Sequence, residues 1–187
     1  VAGQTMLPGG TVAAFVVERH TADGTVDTSF NTTGIATAHF SPEFATATGV
    51  VVQPDGKVVV GGYARIDSTT GEDFVLARFN SDGTPDSSFG NGGIVTTDLG
   101  SAFDEGGGLA LQSDGKLVMA GYIAHAVVGF DYALARYNGD GSLDTGFGSN
   151  GVVISELCNT NDGPVVVALQ PDGRIIVASA YSQSGTA

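Results

Sequence analysis

An internal repeat limits the folds open to this chain more than any other feature of its sequence. The segment QPDGK at residues 53–57 returns 59 residues later as QSDGK at 112–116, and 58 residues after that as QPDGR at 170–174. A second segment keeps the same step, and its copies are residues 20–30, 79–89 and 137–147. Two anchors with one period indicate a repeat architecture in which each repeat is one supersecondary unit.

Each repeat predicts four short strands, A to D. Strands A and B flank an x-Asp-Gly-x turn, which is a strong hairpin signal. The β-branched and aromatic runs are bounded by Gly, Asp and Asn, as is typical of strands. Apolar triplets such as Val58-Val59-Val60 predict strands that are covered on both faces. The twelve predicted strands are A at 49–53, 108–112 and 165–170, B at 57–63, 116–122 and 174–180, C at 15–19, 74–79 and 132–137, and D at 34–38, 93–97 and 151–155.

A repeated four-stranded unit of this length is the signature of a β-propeller blade. We therefore predict an all-β, β-propeller-type array of four-stranded antiparallel blades, with about three blade equivalents in one domain. That domain divides into a partial blade at 1–48, repeats at 49–107 and 108–164, and a partial blade at 165–187. Because propellers have four to eight blades, we expect either further repeats of a longer chain or a homodimer that completes a six-bladed ring.

Three blocks of the sequence carry a family resemblance. Residues 74–100, 110–122 and 131–153 resemble the delta-60 repeat, and the resemblance extends over nearly the whole chain. This resemblance implies a β-propeller-type fold and a bacterial protein that is secreted or held at the cell surface. It implies no reaction, because the proteins with this repeat are mostly uncharacterised.

The chain is strongly acidic, and its charge excludes several partners. It has 7 Lys and Arg against 20 Asp and Glu, which gives a net charge of −13. Nucleic-acid binding needs a basic surface, so a nucleic-acid partner is not expected. No apolar run is long enough to predict membrane insertion. The one cysteine, Cys158, cannot form a disulfide within the chain, and no cofactor is predicted.

Most charged residues recur at one position in every repeat, which predicts a structural role. We predict that an arginine of strand C pairs with an aspartate of the C–D turn, and that Asp-Gly pairs cap turns. A recurring phenylalanine is predicted to fill the space between blades. These residues are Arg19, Arg78 and Arg136, Asp27, Asp86 and Asp144, and Phe30, Phe89 and Phe147.

The same turns allow a calcium alternative. Oxygen-bearing side chains at alternate positions beside a glycine are typical of calcium loops, but these turns have no later glutamate that could bind a calcium ion through both oxygens. Self-bonded Asx turns explain the pattern more simply. The residues of the calcium alternative are Asp82, Asp86, Asp140 and Asp144.

The connections between strands divide into a repeated set and a variable set. In an up-and-down blade the A–B and C–D turns lie on one face, here called the constant face. The B–C connections (4–14, 64–73, 123–131) and the D–A connections (39–48, 98–107, 156–164) differ between repeats and lie on the other face, here called the variable rim. Variable loops on a rigid scaffold are where binding residues usually lie. The predicted binding residues on the variable rim are His39, Arg65, Asp67, Asp104, His125 and Asp162.

These features favour a non-catalytic binding or structural module that recognises a protein or glycan ligand at the variable rim. The sequence contains no nucleophile elbow, phosphate loop or dinucleotide fingerprint. Two alternatives stay open at this stage. One is a hydrolase or lyase that uses two acids from different blades, for instance Asp104 and Asp162. The other is a calcium-stabilised adhesion module.

Overall fold

The computed structural model describes residues 2–6, 13–40, 44–66, 71–124, 129–155 and 165–179. These residues contain thirteen antiparallel strands in four sheets, which we call blades I to IV. Blade I has β1 (Ala2–Met6), β2 (Ala13–Glu18) and β3 (Ile35–His39). Blade II has β4 (Phe44–Val52), β5 (Val58–Arg65), β6 (Glu72–Phe79) and β7 (Ile94–Thr97). Blade III has β8 (Asp104–Leu111), β9 (Leu117–Ala124), β10 (Phe130–Tyr137) and β11 (Val152–Ser155), and blade IV has β12 (Val166–Leu169) and β13 (Ile175–Ala178).

Blades II and III are complete four-stranded meanders, with the strands in the order A, B, C, D. Within the described ranges, blade I has strands B, C and D, and blade IV has strands A and B. Strand β4 packs against β8, and β8 packs against β12, so the blades succeed one another in chain order. In the part of the chain that the structure describes, they form an open array and not a closed ring. The same residues form no helix with the length and apolarity that a membrane crossing requires.

The structure corrects the predicted strand limits in two places. Strand A of blades II and III begins at Phe44 and at Asp104, several residues before the predicted start. Residues 104–107 are acidic and glycine-rich and have low β-propensity, but they pair with the end of strand B across a β-bulge between Gly106 and Gly108. The D–A connection of blade II is therefore shorter than predicted. The count of twelve strands is also wrong, because β1 forms a thirteenth strand against β2.

The core lies between the blades, as the apolar triplets predict. In strand β5, Val60 packs in the cluster between blades I and II, and Val59 packs in the cluster between blades II and III. Neither side chain has exposed surface. Because alternate residues of a strand point to opposite faces, a sheet between two others needs apolar residues at successive positions.

On the constant face, the predicted arginine–aspartate pairs are confirmed in three blades. In blade II, Arg78 Nε donates to Asp86 Oδ2 at 2.7 Å, and the guanidinium lies 4.4 Å from the centroid of the Phe89 ring. Arg78 Nη1 also donates to the carbonyl oxygen of Gly139, in the C–D turn of blade III. The matching pairs are Arg19–Asp27 and Arg136–Asp144, each at 2.8 Å. One guanidinium therefore holds its own turn and, in blades I and II, the turn of the next blade.

Nearer the variable rim, an aromatic ring of one blade lies on a small residue of the next blade. A Cβ atom on Gly121 would lie 2.2 Å from the carbonyl oxygen of Glu105 and 2.6 Å from Cζ of Phe74. Gly62 has the same close approach to Phe15 of blade I. At the equivalent position in blade IV the residue is Ser179, and the aromatic residue is Tyr132, whose hydroxyl group bonds to the Ser179 hydroxyl group. The recurring glycine is thus required by blade-to-blade packing.

Candidate ligand-binding site at the variable rim

Three of the six predicted binding residues lie in the described part of the chain. His39 ends β3 with an exposed side chain, and its Nε2 atom is 3.1 Å from Thr37 Oγ1. Arg65 ends β5, and its Nη2 atom is 3.4 Å from Glu72 Oε1. Asp104 is the third. The others, Asp67, His125 and Asp162, lie outside the described residues.

Asp104 does not lie in an exposed connection, as the sequence predicted, because it is the first residue of β8 and is fully buried. Its Oδ2 atom accepts a hydrogen bond from the Leu99 backbone N–H at 2.6 Å, and its Oδ1 atom accepts one from the Ser101 hydroxyl group. Burial raises the pKa of this carboxyl group, although these hydrogen bonds oppose the shift. Asp104 therefore anchors the D–A turn of blade II from below.

Asp104 also belongs to an acidic cluster at the junction of blades II and III. Carboxylate oxygens of Asp73, Asp98 and Asp104 all lie within 4.8 Å of one another. Asp73 and Asp104 are buried, and Asp98 is exposed. This donor set suits a hard cation. The sequence holds a signal for it, because the three positions align in the next repeat with Asp131, Glu156 and Asp162.

A cavity of about 580 Å³ lies beside the variable rim, where strands A of three blades converge. Those strands are edge strands of their sheets, so they present backbone N–H and C=O groups to the cavity. Two tyrosines of strand B and one glutamate of strand A supply its polar side chains. The lining consists of residues 48–50, 105–109 and 165–167 with Tyr63 and Tyr122.

The polar side chains of the cavity form one network around Glu105. The Tyr122 hydroxyl group donates to Glu105 Oε2, and Tyr63 also lies within hydrogen-bonding reach of Glu105. Burial raises the pKa of both tyrosines, and the negative charge of Glu105 raises it further. Both hydroxyl groups therefore stay protonated at neutral pH and are available as donors.

Glu72, from strand C of blade II, extends this network. Burial is the main cause that raises the pKa of Glu72, and the charge and hydrogen bond of Glu105 add to it. The nearby Arg65 opposes the shift. Two carboxyl groups from different blades thus share a hydrogen bond and can hold one proton between them.

The network of Glu72, Glu105 and the two tyrosines was absent from the predicted site. Tyr63 and Tyr122 occupy the same repeat position, and recurrence favoured a structural role for them. Their distinguishing signal is that each lies close to the end of a strand B, beside a variable B–C connection.

The four aspartates of the calcium alternative lie in turns of the constant face. Asp82 Oδ1 accepts from the backbone N–H and the hydroxyl group of Thr84, and Asp140 Oδ1 does the same with Ser142. Asp86 Oδ2 accepts from Arg78 and from Lys57, whose Nζ atom is 2.9 Å away. These contacts are those of Asx-type turns and ion pairs, as the simpler interpretation predicts.

We expect no change in the melting temperature when a chelator such as EDTA is added, or when calcium is supplied in excess. A ligand that binds only the folded state must raise its stability, and the turn carboxylates already accept internal donors. Differential scanning fluorimetry of the chain measures this. A fall in melting temperature with EDTA would contradict the expectation. Asp82→Asn and Asp98→Asn would then locate the cation, because only the variant that lacks a ligand loses the response.

Comparison with known proteins gives one match. Residues 53–89 and 112–147 match a family model described as "Domain of unknown function (DUF5122) beta-propeller". Each matched segment runs from the A–B turn through strands B and C to the phenylalanine of the C–D turn. No curated protein matches the chain. The match and the array of antiparallel blades together support a β-propeller-type repeat family for this chain.

Proposed function

We propose that this chain is a non-catalytic binding module, part of a bacterial secreted or surface protein, that takes its ligand into the cavity beside the variable rim. The observation that supports this proposal is the cavity itself. It draws strand A from three blades and side chains from two strands B, so that ligand contacts come from the whole array. A concave site with a few convergent polar groups on a rigid scaffold is typical of ligand recognition.

The chemistry of the cavity favours a ligand that donates hydrogen bonds. Glu105 is an acceptor when ionised, and its charge disfavours anionic ligands. Tyr63 and Tyr122 add hydroxyl groups and apolar ring surface. A glycan segment fits these requirements, since its hydroxyl groups donate to a carboxylate and its apolar faces lie on aromatic rings. A protein ligand that presents an ammonium group would meet the first requirement only.

We expect neutral oligosaccharides to bind with saturable affinity and uronic-acid oligosaccharides to bind more weakly. Glu105→Gln should raise the Kd about 10-fold to 100-fold, because hydrogen bonds to a charged group contribute roughly 1.5–3 kcal/mol. NMR titration of the labelled chain with an oligosaccharide panel measures both effects. Asp114→Asn, in an A–B turn of the constant face, is the matched control and should leave the Kd unchanged.

Two results would contradict the proposal. Oligosaccharide binding that is equal in the wild type and in Glu105→Gln would locate the site elsewhere. If no member of the panel binds, and if amine-bearing peptides of matched size also fail to bind, the cavity has no binding role.

A second candidate function is a hydrolase or lyase, and the pair Glu72 and Glu105 favours it. A raised pKa on Glu72 beside an ionised Glu105 supplies a proton donor and an acceptor from different blades. Mass spectrometry of the incubated oligosaccharides tests this alternative. Cleavage that Glu72→Gln abolishes would establish the enzyme, and intact oligosaccharides would leave the binding module.

A further inference from the structure

An ion pair joins the two ends of each complete blade on the constant face. In blade II, the cation of the A–B turn reaches the aspartate of the C–D turn, with Lys57 Nζ 2.9 Å from Asp86 Oδ2. In blade III, Lys116 Nζ lies 2.8 Å from Asp144 Oδ2. Each aspartate therefore pairs with two cations, one from strand C and one from the A–B turn.

The two incomplete blades each hold one half of this pair. In blade IV the A–B turn cation is Arg174, whose side chain is 76% exposed and pairs with Asp172 of its own turn. In blade I the C–D turn aspartate is Asp27, and the ion pair that the structure gives it is with Arg19. Arg174 thus occupies the position of Lys57 and Lys116, and Asp27 the position of Asp86 and Asp144.

The backbone of the two incomplete blades is complementary in the same way. By the repeat period, β13 (Ile175–Ala178) corresponds to residues 58–61 of blade II, and β1 (Ala2–Met6) corresponds to residues 61–65. The strands are therefore the two successive halves of one strand B. Strand β1 pairs with β2 from Ala13 to Val17. In blade II the equivalent pairing continues, with Val59 opposite Arg78 and Val58 opposite Phe79.

We propose that β12 and β13 of one copy of this chain pair with β2 and β3 of a second copy to form a composite four-stranded blade. In the blade II register, Ile176 of one copy lies opposite Arg19 of the other. Arg174 then leaves its own turn and pairs with Asp27 of the second copy. Strand β13 continues β1 of that copy in line, so neither strand displaces the other. Two copies that exchange both contacts give a closed dimer.

Exposed apolar surface on blade IV supports the same partner. Ile176 is 48% exposed, whereas the equivalent residues Val59 and Val118 have no exposed surface. Those two valines face the following blade. In the composite blade, Ile176 faces blade II of the second copy, which removes its apolar surface from water.

Light scattering on a sizing column tests the dimer, with an expected mass of twice 18.8 kDa. Arg174→Glu should raise the dimer dissociation constant at least about tenfold, because it sets a negative charge beside Asp27. Asp172→Asn is the matched control, since its amide oxygen can still accept the Arg174 N–H of the turn. It should leave the dimer intact. A monomer, or a dimer that Arg174→Glu does not weaken, overturns the proposal.

A disulfide between copies tests the register independently. Val177 corresponds to Val60, which pairs with Ala77, and Ala77 corresponds to Glu18. In a Cys158→Ser background, we expect a mixture of Glu18→Cys and Val177→Cys chains to form a covalent dimer on oxidation. A mixture of Thr37→Cys and Val177→Cys chains should stay monomeric on a denaturing gel, because Thr37 lies in strand D. Equal cross-linking in both mixtures, or none, overturns the composite blade.

Discussion

Arg78→Ala is expected to lower the free energy of unfolding by about 3–5 kcal/mol, which is the cost of breaking a buried ion pair. The Arg78 side chain is 6% exposed, and its loss leaves the equally buried Asp86 with Lys57 as its remaining cation. The variant also loses the contact with the Phe89 ring and the hydrogen bond to Gly139 of blade III. Urea denaturation followed by circular dichroism measures the change.

Arg19→Ala is the matched control, because Arg19 occupies the same repeat position with the same partner types. Its side chain is 35% exposed, so we expect a loss of only about 1 kcal/mol. Equal losses in the two variants would show that burial of the pair does not determine its contribution.

The pH dependence adds a second test of the Arg78 prediction. Burial acts to raise the pKa of Asp86, but hydrogen bonds from Ser88 and Lys57 and the charge of Arg78 hold it well below its usual range. A depressed pKa in the folded state stabilises the fold above the unfolded-state pKa, and this contribution is lost as the pH falls through the folded-state value. The difference between wild type and Arg78→Ala should therefore shrink in strong acid. A difference that is constant down to that pH would contradict the electrostatic explanation.

Gly121→Ala is expected to destabilise the chain by about 3 kcal/mol, and to lower the melting temperature by roughly 6–12 °C. The added methyl group would lie 2.2 Å from a backbone carbonyl oxygen of strand A and 2.6 Å from the Phe74 ring. The carbonyl group belongs to a strand pair and cannot move without loss of that pairing. Differential scanning calorimetry measures the change.

Gly139→Ala is the control for this prediction, because a methyl group there meets no atom within 4 Å. It should leave the melting temperature nearly unchanged. The chain also offers a compensating change, since blade IV has Ser179 with Tyr132 where blade III has Gly121 with Phe74. Gly121→Ser combined with Phe74→Tyr should be more stable than Gly121→Ser alone. If the double variant gains nothing, the two positions are not coupled through this contact.

The repeat made much of the fold predictable from sequence. Asp-Gly turns such as Asp55-Gly56 have a specific backbone requirement, which the positive φ of 83° at Gly56 meets. Strands B and C are β-branched or aromatic and lie next to these turns, so their positions follow from local sequence. The ion pair of Arg78 with Asp86 was predictable because both residues recur with one period.

The candidate site was less predictable, because it depends on how one blade lies against the next. Residues 104–107 become a strand only because the end of β9 supplies hydrogen-bond partners. Glu72 and Glu105 come together because strand C of blade II approaches strand A of blade III. A pattern within one repeat carries no information about such distances between blades.

The arginine that bonds to two blades has a consequence for how the array opens. Because Arg78 holds both its own turn and the turn of blade III, blade II cannot unfold without releasing a bond of its neighbour. Arg19 couples blades I and II in the same way, through the carbonyl oxygen of Ser81. Stability in a linear array is set by such nearest-neighbour couplings. Amide protons in the middle of the array should therefore exchange with solvent in one collective event, so that a defect in one blade is felt in the next.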